Sequence, residues 1–183
     1  MMTERVAFLN KFIMEPKKIG SITPSSSFLT KRLLGKLPWD TIETIAELGA
    51  GTGVFTDYIS KNKKKLCQFI VIEQDLKMQE NLRTKYPNFH YGAKAEKLDW
   101  LLQNYALPQV DCVVSGLPFA IFPESQRQKI MVAVNRSLKP GGIFVAFQYS
   151  LQMRKTFKEY FSELEIGFVP LNMPPAFVYF CRK

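Results

Sequence analysis

One histidine, three cysteines and no paired-thiol spacing leave this 183-residue sequence with little material for a metal centre or a disulfide framework. Cys67, Cys112 and Cys181 each sit in or beside an apolar segment, without a C-x-x-C pair, and read as buried free thiols. His90 lies between Phe89 and Tyr91 with no Cys or His nearby, so it reads as structural, and no metal is expected. Long apolar runs are also missing: none approaches the roughly eighteen residues that a membrane span needs. A basic start followed by a short apolar segment and a small-residue cleavage site is absent too, and the expectation is a cytoplasmic protein. With no internal repeat, low-complexity tract or linker, one domain over 1–183 is expected. Carboxylates are scarce as well. Asp+Glu number 16 against 25 Lys+Arg, which leaves a net charge of +9 and a pI near 9.5. That excess favours polyanions, either nucleic acid or an anionic membrane surface, and does not choose between them. Its one compact cluster, Lys61 to Lys65, fits a solvated loop equally well.

Against these absences stands one glycine-rich run, Glu47-Leu48-Gly49-Ala50-Gly51-Thr52-Gly53, placed between the apolar stretch Thr44 to Ala46 and a helix-like segment. It reads as a strand delivering a loop to a helix N-terminus, where the lack of side chains lets a ligand lie against bare backbone amides. A dinucleotide fold wants its third glycine one position later, where this chain has Val54. A P-loop wants Gly-Lys-Ser/Thr, and Gly53 is followed by Val54-Phe55. The acidic lead residue Glu47 suits a ligand that carries an ammonium and no phosphate. About twenty residues on, Phe69-Ile70-Val71-Ile72 reads as a buried parallel strand ending in Glu73, and a carboxylate there can accept both hydroxyls of a ribose.

The pattern then alternates. Helices are expected over Val54–Ser60, Asp75–Lys85, Ala95–Asn104, Glu124–Leu138 and Leu151–Phe161, and strands over Cys67–Ile72, Phe89–Tyr91, Val110–Val114 and Ile143–Phe147. Two final strands, Glu163–Val169 and Ala176–Cys181, follow one another as a hairpin. Alternation of this kind means an α/β fold with a parallel sheet covered on both faces and a ligand at the carboxyl ends of its strands. Lys139-Pro140-Gly141-Gly142 reads as a turn that stops a helix before the next strand. A helical extension, 1–40, precedes the α/β core, 41–183. In it Thr3 to Met14 forms an amphipathic helix ended by Pro16, and Thr23-Pro24-Ser25 caps a second helix through Phe28, Leu29 and Leu33. The first helix fits two roles: packing over the sheet edge and cofactor, or lying on a bilayer with Arg5, Lys11, Lys17 and Lys18 at the headgroups.

The acid-x-Gly-x-Gly-x-Gly run resembles motif I of the class I S-adenosylmethionine (SAM) dependent methyltransferases, and Lys139 to Gly142 resembles the turn before their fifth strand. The resemblance implies a seven-stranded, mostly parallel Rossmann-like sheet with an antiparallel last strand. A closer likeness rests on four segments in order: Lys18 to Ser26 (Lys-Ile-Gly-Ser-Ile-Thr-Pro-Ser-Ser), Glu47 to Thr56, Ser115-Gly116-Leu117-Pro118, and Asn172-Met173-Pro174-Pro175-Ala176. Together they resemble the soluble bacterial phospholipid N-methyltransferases, which act on phosphatidylethanolamine. By that resemblance Ile22, Thr23 and Ser26 close over the cofactor, with Glu47, Gly49, Gly51, Gly53, Glu73, Gln74, Ala95, Glu96 and Ser115 holding it. Gly116, Leu117, Pro118 and Tyr149 then form the catalytic pocket, with Phe119, Asn172 and Pro174 as its substrate wall. The acceptor implied is an amino-headgroup phospholipid, met at the membrane surface. Two other functions stay open. Ribosomal RNA adenine dimethylases carry an asparagine where this chain has Gly116, and the third reading is a SAM- or lipid-binding protein without turnover.

Overall fold

The computed structural model describes residues 27–183. The expected helix Thr3 to Met14, the Thr23-Pro24-Ser25 cap and the proposed contacts of Ile22, Thr23 and Ser26 lie outside the described residues. Helix α1 (Ser27–Leu34) leads to strand β1 (Thr44–Leu48), helix α2 (Val54–Asn62), β2 (Gln68–Ile72), α3 (Leu76–Lys85) and β3 (His90–Gly92). A 3-10 turn (Ala95–Lys97) opens α4 (Leu98–Asn104), followed by β4 (Val110–Ser115), α5 (Glu124–Ser137), β5 (Leu138–Gln148), α6 (Arg154–Tyr160), β6 (Glu163–Val169) and β7 (Ala176–Arg182).

The seven strands form one sheet in the order β3-β2-β1-β4-β5-β7-β6. Strands β3 to β5 are mutually parallel, and β7 runs antiparallel between β5 and β6. This is the mostly parallel sheet with a reversed last strand that the sequence predicted. Period-2 alternation sorts its side chains into two cores. Ala46, Ile70, Val113, Phe144 and Ala146 pack under α4, α5 and α6, and Ile45, Phe69, Val71, Cys112, Val114 and Val145 pack under α1, α2 and α3. Nearly continuous burial along β1, β2 and β4 is the mark of parallel strands covered on both faces. The three cysteines are free and buried. His90 bonds Gln68 Oε1 at 3.0 Å and lies against the Tyr105 ring, as a structural residue should.

Three local expectations change. Lys139 to Gly142 is not a turn outside the sheet. It falls within β5, where the pairing with β4 jumps from Val110↔Leu138 to Cys112↔Ile143. The chain terminus captures this bulge: Gly141 N donates to Lys183 O and Lys183 N donates to Gly142 O, so the turn's amides are used as a strand's would be. Helix α6 begins at Arg154 rather than Leu151, after a turn closed by Arg154 N donating to Leu151 O. The segment expected as one helix from Ala95 opens with the 3-10 turn.

Candidate functional site

Strands β1, β2, β4 and β5 all end at one edge of the sheet, and their loops meet there. The glycine loop leaves β1 with Gly49, Gly51 and Gly53 at φ of 74°, 54° and 87°. Each glycine has a different neighbour. A Cβ on Gly49 would sit 2.8 Å from Leu117 Cδ2, and one on Gly53 would sit 2.5 Å from Leu82 Cδ2. On Gly51 it would meet nothing within 4 Å, so this glycine alone faces open space. A cavity of about 170 Å³ lies there, lined by Gly49 to Thr52, Val54, Phe55, Gly116 and Phe147. A larger hollow of about 520 Å³, beside Lys36, Leu164 and Arg182, is at the opposite edge and contains none of the glycine loop.

The loop's amides are less bare than the sequence suggested. Gly49 N and Ala50 N both donate to Ile72 O, and Gly51 N donates to Glu73 Oε2 at 2.6 Å. The loop is therefore a preformed wall held against β2, which accommodates a ligand by lacking side chains more than by offering donors. Glu73, half-buried just beyond β2, also accepts from Asp75 N at 2.9 Å through Oε1. Two backbone bonds fix this carboxylate and leave lone pairs for a diol. Gln79 was not singled out from sequence, although its buried amide donates to both Glu73 O and Gly92 O, tying the ends of β2 and β3 together. Gln74 is exposed beside it.

Glu47 is fully buried under α2. Thr56 Oγ1 donates to its Oε2 at 2.7 Å, and its Oε1 has no partner among the described residues. Burial, against the Thr56 bond and reinforced by the nearby Glu73 charge, pushes its pKa up to about 8. A buried carboxylate with one unused oxygen is a place for a cation.

On the β4 side, Gly116 N donates to Leu48 O and Leu117 N to Ser115 Oγ, pinning the loop to β1. A Cβ on Gly116 would lie 2.8 Å from the carbonyl oxygen of Gly49, so any side chain here would push into the glycine loop's backbone. Gln148, also missed from sequence, is buried at the end of β5 and donates to Leu117 O at 2.9 Å. Its only signal was a polar residue closing the apolar run Ile143 to Phe147. Ser115 and Phe119 are buried, whereas Leu117 and Pro118 are half-buried. Tyr149 hydrogen-bonds Asn172, whose Nδ2 donates to Pro174 O. The structure thus brings together Glu47, the three glycines, Glu73, Ser115 to Phe119, Tyr149, Asn172 and Pro174 along one edge. Glu96 goes elsewhere: it lines a groove with Lys97, Asp99, Lys129 and Arg136 against α5, while Ala95 is buried in the core.

A model of the methyltransferase domain matches residues 45–142, more than half of the chain. The chain belongs to the methyltransferase domain family. The methyltransferase is 33% identical over 180 residues to the ornithine lipid N-methyltransferase of Singulisphaera acidiphila, covering 96% of this chain and 94% of that protein. It is 23% identical to the ribosomal RNA small subunit methyltransferase A of Thermotoga petrophila over 115 residues, 62% of this chain and 42% of that protein. Among solved structures, the N-methyltransferase NodS of Bradyrhizobium japonicum, in complex with S-adenosyl-L-homocysteine, superposes with a TM-score of 0.70 at 14% identity, covering 95% of this chain and 98% of that one. The precorrin-6y C5,15-methyltransferase of Geobacter metallireducens does so at 0.66 and 15% identity, covering 92% and 97%. At these identities the superpositions speak for the fold.

The methyltransferase is a SAM-dependent enzyme of class I architecture, and its residues fit that cofactor. The open side of Gly51, the unpaired oxygen of Glu47 and the fixed carboxylate of Glu73 meet the needs of a ligand with an ammonium and a ribose but no phosphate. When bound, SAM supplies an electrophilic methyl group on a sulfonium.

Proposed function

We propose that the enzyme methylates the amine of an amino-headgroup membrane lipid, as an N-methyltransferase working at a membrane surface. The observation that carries this reading is the similarity to the ornithine lipid N-methyltransferase along nearly the whole of both chains. Phosphatidylethanolamine and ornithine lipids share the group that matters, an alkylamine on a short stem. In this reading Glu47 receives the cofactor's ammonium, Glu73 its ribose, and the side-chain-free face of Gly51 lets it approach. Ser115 to Phe119, Tyr149, Asn172 and Pro174 form the acceptor side.

An in-line methyl transfer asks the protein mainly to hold a lone pair about 3 to 3.5 Å from the methyl carbon in a dry site. An alkylamine with a pKa of roughly 10 must also lose its proton. Burial raises the Tyr149 phenol above its ordinary value, so at neutral pH it is an uncharged hydrogen-bonding group and not a phenolate base. Its part is to orient the amine while desolvation between Phe147 and the β4 loop favours the neutral form. An adenine acceptor, which the ribosomal RNA relative and the charge of +9 would favour, normally relies on a side-chain amide at position 116. The 2.8 Å approach of Gly49 O leaves no room for one in this backbone.

The test is transfer of labelled methyl from SAM to phosphatidylethanolamine vesicles, ornithine lipid vesicles and total RNA in parallel, followed by phase extraction. Label in the organic phase from either lipid is the expected result, and label confined to RNA would sink the proposal.

A further inference from the structure

The loop between β6 and β7 turns its two neighbours of Asn172 in the wrong direction for a folded core. Asn172 is buried and bonded to Tyr149, yet Leu171 on one side of it is 68% exposed and Met173 on the other is 86% exposed. Fixing Asn172 inward forces its neighbours outward, beside the acceptor side of the site. They have company. Phe168 is 52% exposed and packs on Phe177 with ring centroids 5.1 Å apart, and Leu151, just after Tyr149, is 44% exposed. Helix α1 runs along β6, with Lys36 bonded to Glu165 and Arg32 against Gly167. One further turn, at about 1.5 Å per residue, brings Phe28 to the level of Val169, and Phe28 is 57% exposed. Five large apolar side chains thus crowd one end of the sheet, where a soluble surface would scatter them.

The charges around them are mostly of one sign. Lys31 and Arg32 of α1 and Arg154, Lys155 and Lys158 of α6 stand against a single carboxylate in those two helices, Glu159, and 166–175 carries no charged residue. Apolar tips ringed by cations match a surface with anionic headgroups over a hydrocarbon interior. A nucleic acid would use the cations but has no place for Leu171 and Met173.

We propose that the rim formed by Leu171, Met173, Phe168, Leu151 and Phe28 docks on an anionic phospholipid bilayer, with the β6–β7 tip entering the headgroup layer beside the acceptor pocket. The purpose of this docking rests on the amino-lipid reading, although its geometry does not. It would present headgroups to the site without drawing the lipid out of the membrane.

The experiment is cosedimentation of the full chain with vesicles of phosphatidylglycerol and phosphatidylcholine, which measures docking without any acceptor amine. L171D/M173D, and the uncharged L171N/M173Q, are each expected to bind about tenfold more weakly than the wild type. Turnover on monomeric dihexanoyl phosphatidylethanolamine should stay unchanged in both. Equal vesicle binding by wild type and variants overturns the proposal. So does a drop of several degrees in melting temperature, which would mean that the chain's own residues cover the tip, or a wild-type dimer that the substitutions dissociate. Should docking weaken as expected while dihexanoyl phosphatidylethanolamine is never methylated, the surface stands and the acceptor reading falls.

Discussion

Burying Glu47 with one oxygen unpaired is a cost that folding alone would not select, since an apolar residue at the end of β1 would pack without it. Its pKa near 8 in the folded chain, against 4.5 for an unperturbed glutamate, sets the sign of the effect. The folded state holds this proton more tightly, so the contribution of Glu47 to stability is fully present below about pH 4.5 and declines as pH rises toward 8, by an amount on the order of a few kcal/mol. E47Q, nearly isosteric, should remove that decline. Its melting temperature should match the wild type near pH 4.5 and exceed it increasingly up to pH 8. Binding of S-adenosyl-L-homocysteine should move oppositely. An ammonium lowers the pKa of its partner, so wild-type affinity should rise between pH 6 and 8, while E47Q should bind about tenfold or more weakly at pH 8 and show no such rise. Calorimetric titration and thermal melts at several pH values would check both, and parallel curves for the two proteins would remove Glu47 from the cofactor site.

At the scale of elements, the acceptor side depends on one loop that three strands hold from below. The segment after β4 is fixed to β1 through Gly116 N and to the end of β5 through Gln148, and β5 then delivers Tyr149 to Asn172 on the β6–β7 loop. Gln148→Leu keeps the volume and removes the tie to Leu117 O. It should cost about 1 kcal/mol of stability and lower kcat several-fold while leaving S-adenosyl-L-homocysteine affinity unchanged, because the glycine loop does not touch that amide. Steady-state kinetics beside a binding titration would read the difference, and equal losses in both would mean that Gln148 only supports the fold. Strong periodic segments made the helices and parallel strands legible in advance, as did the glycine spacing of motif I. The bulge at Lys139 to Gly142 was not legible, because a turn-like tetrapeptide becomes strand only when the distant Lys183 pairs with it. Gln79 and Gln148 escaped for a similar reason. A single buried amide has no period and no motif, and its value lies in which carbonyls the fold brings within reach. Glu96, which sequence proximity to β3 suggested for the cofactor, lies on the 3-10 turn and lines a groove beside α5, a placement set by tertiary packing and not by sequence distance.

The charge of +9 acquires a direction only in the whole molecule. The densest cluster, Lys61 to Lys65, lies at the edge of the sheet opposite the candidate site and is occupied locally. Lys61 pairs with Asp57 at 2.6 Å, Lys63 donates to Cys67 O and sits over the Phe89 ring, and Lys64 donates to Asp40 O. Position and partners both fit a stabilised loop rather than a docking surface. Beside the site, the five cations of α1 and α6 flank the apolar rim against a single carboxylate in those helices, Glu159. Of these two sets among the described residues, that one would approach a bilayer when the pocket does. Two consequences are measurable together. Raising salt from 0.1 M to 1 M shortens the screening length from about 10 Å to about 3 Å, so turnover on anionic amino-lipid vesicles should fall steeply, while turnover on monomeric dihexanoyl phosphatidylethanolamine should change little. At low salt, R154E/K155E should lower vesicle turnover about tenfold or more, at roughly 1 kcal/mol for each cation lost and further repulsion from each carboxylate gained, whereas K63E/K64E/K65E should leave it near wild type after correction for any lost stability. If the distal triple variant were the one that failed, the enzyme would meet its membrane through the opposite edge, and the pocket would open away from the lipid it is proposed to methylate.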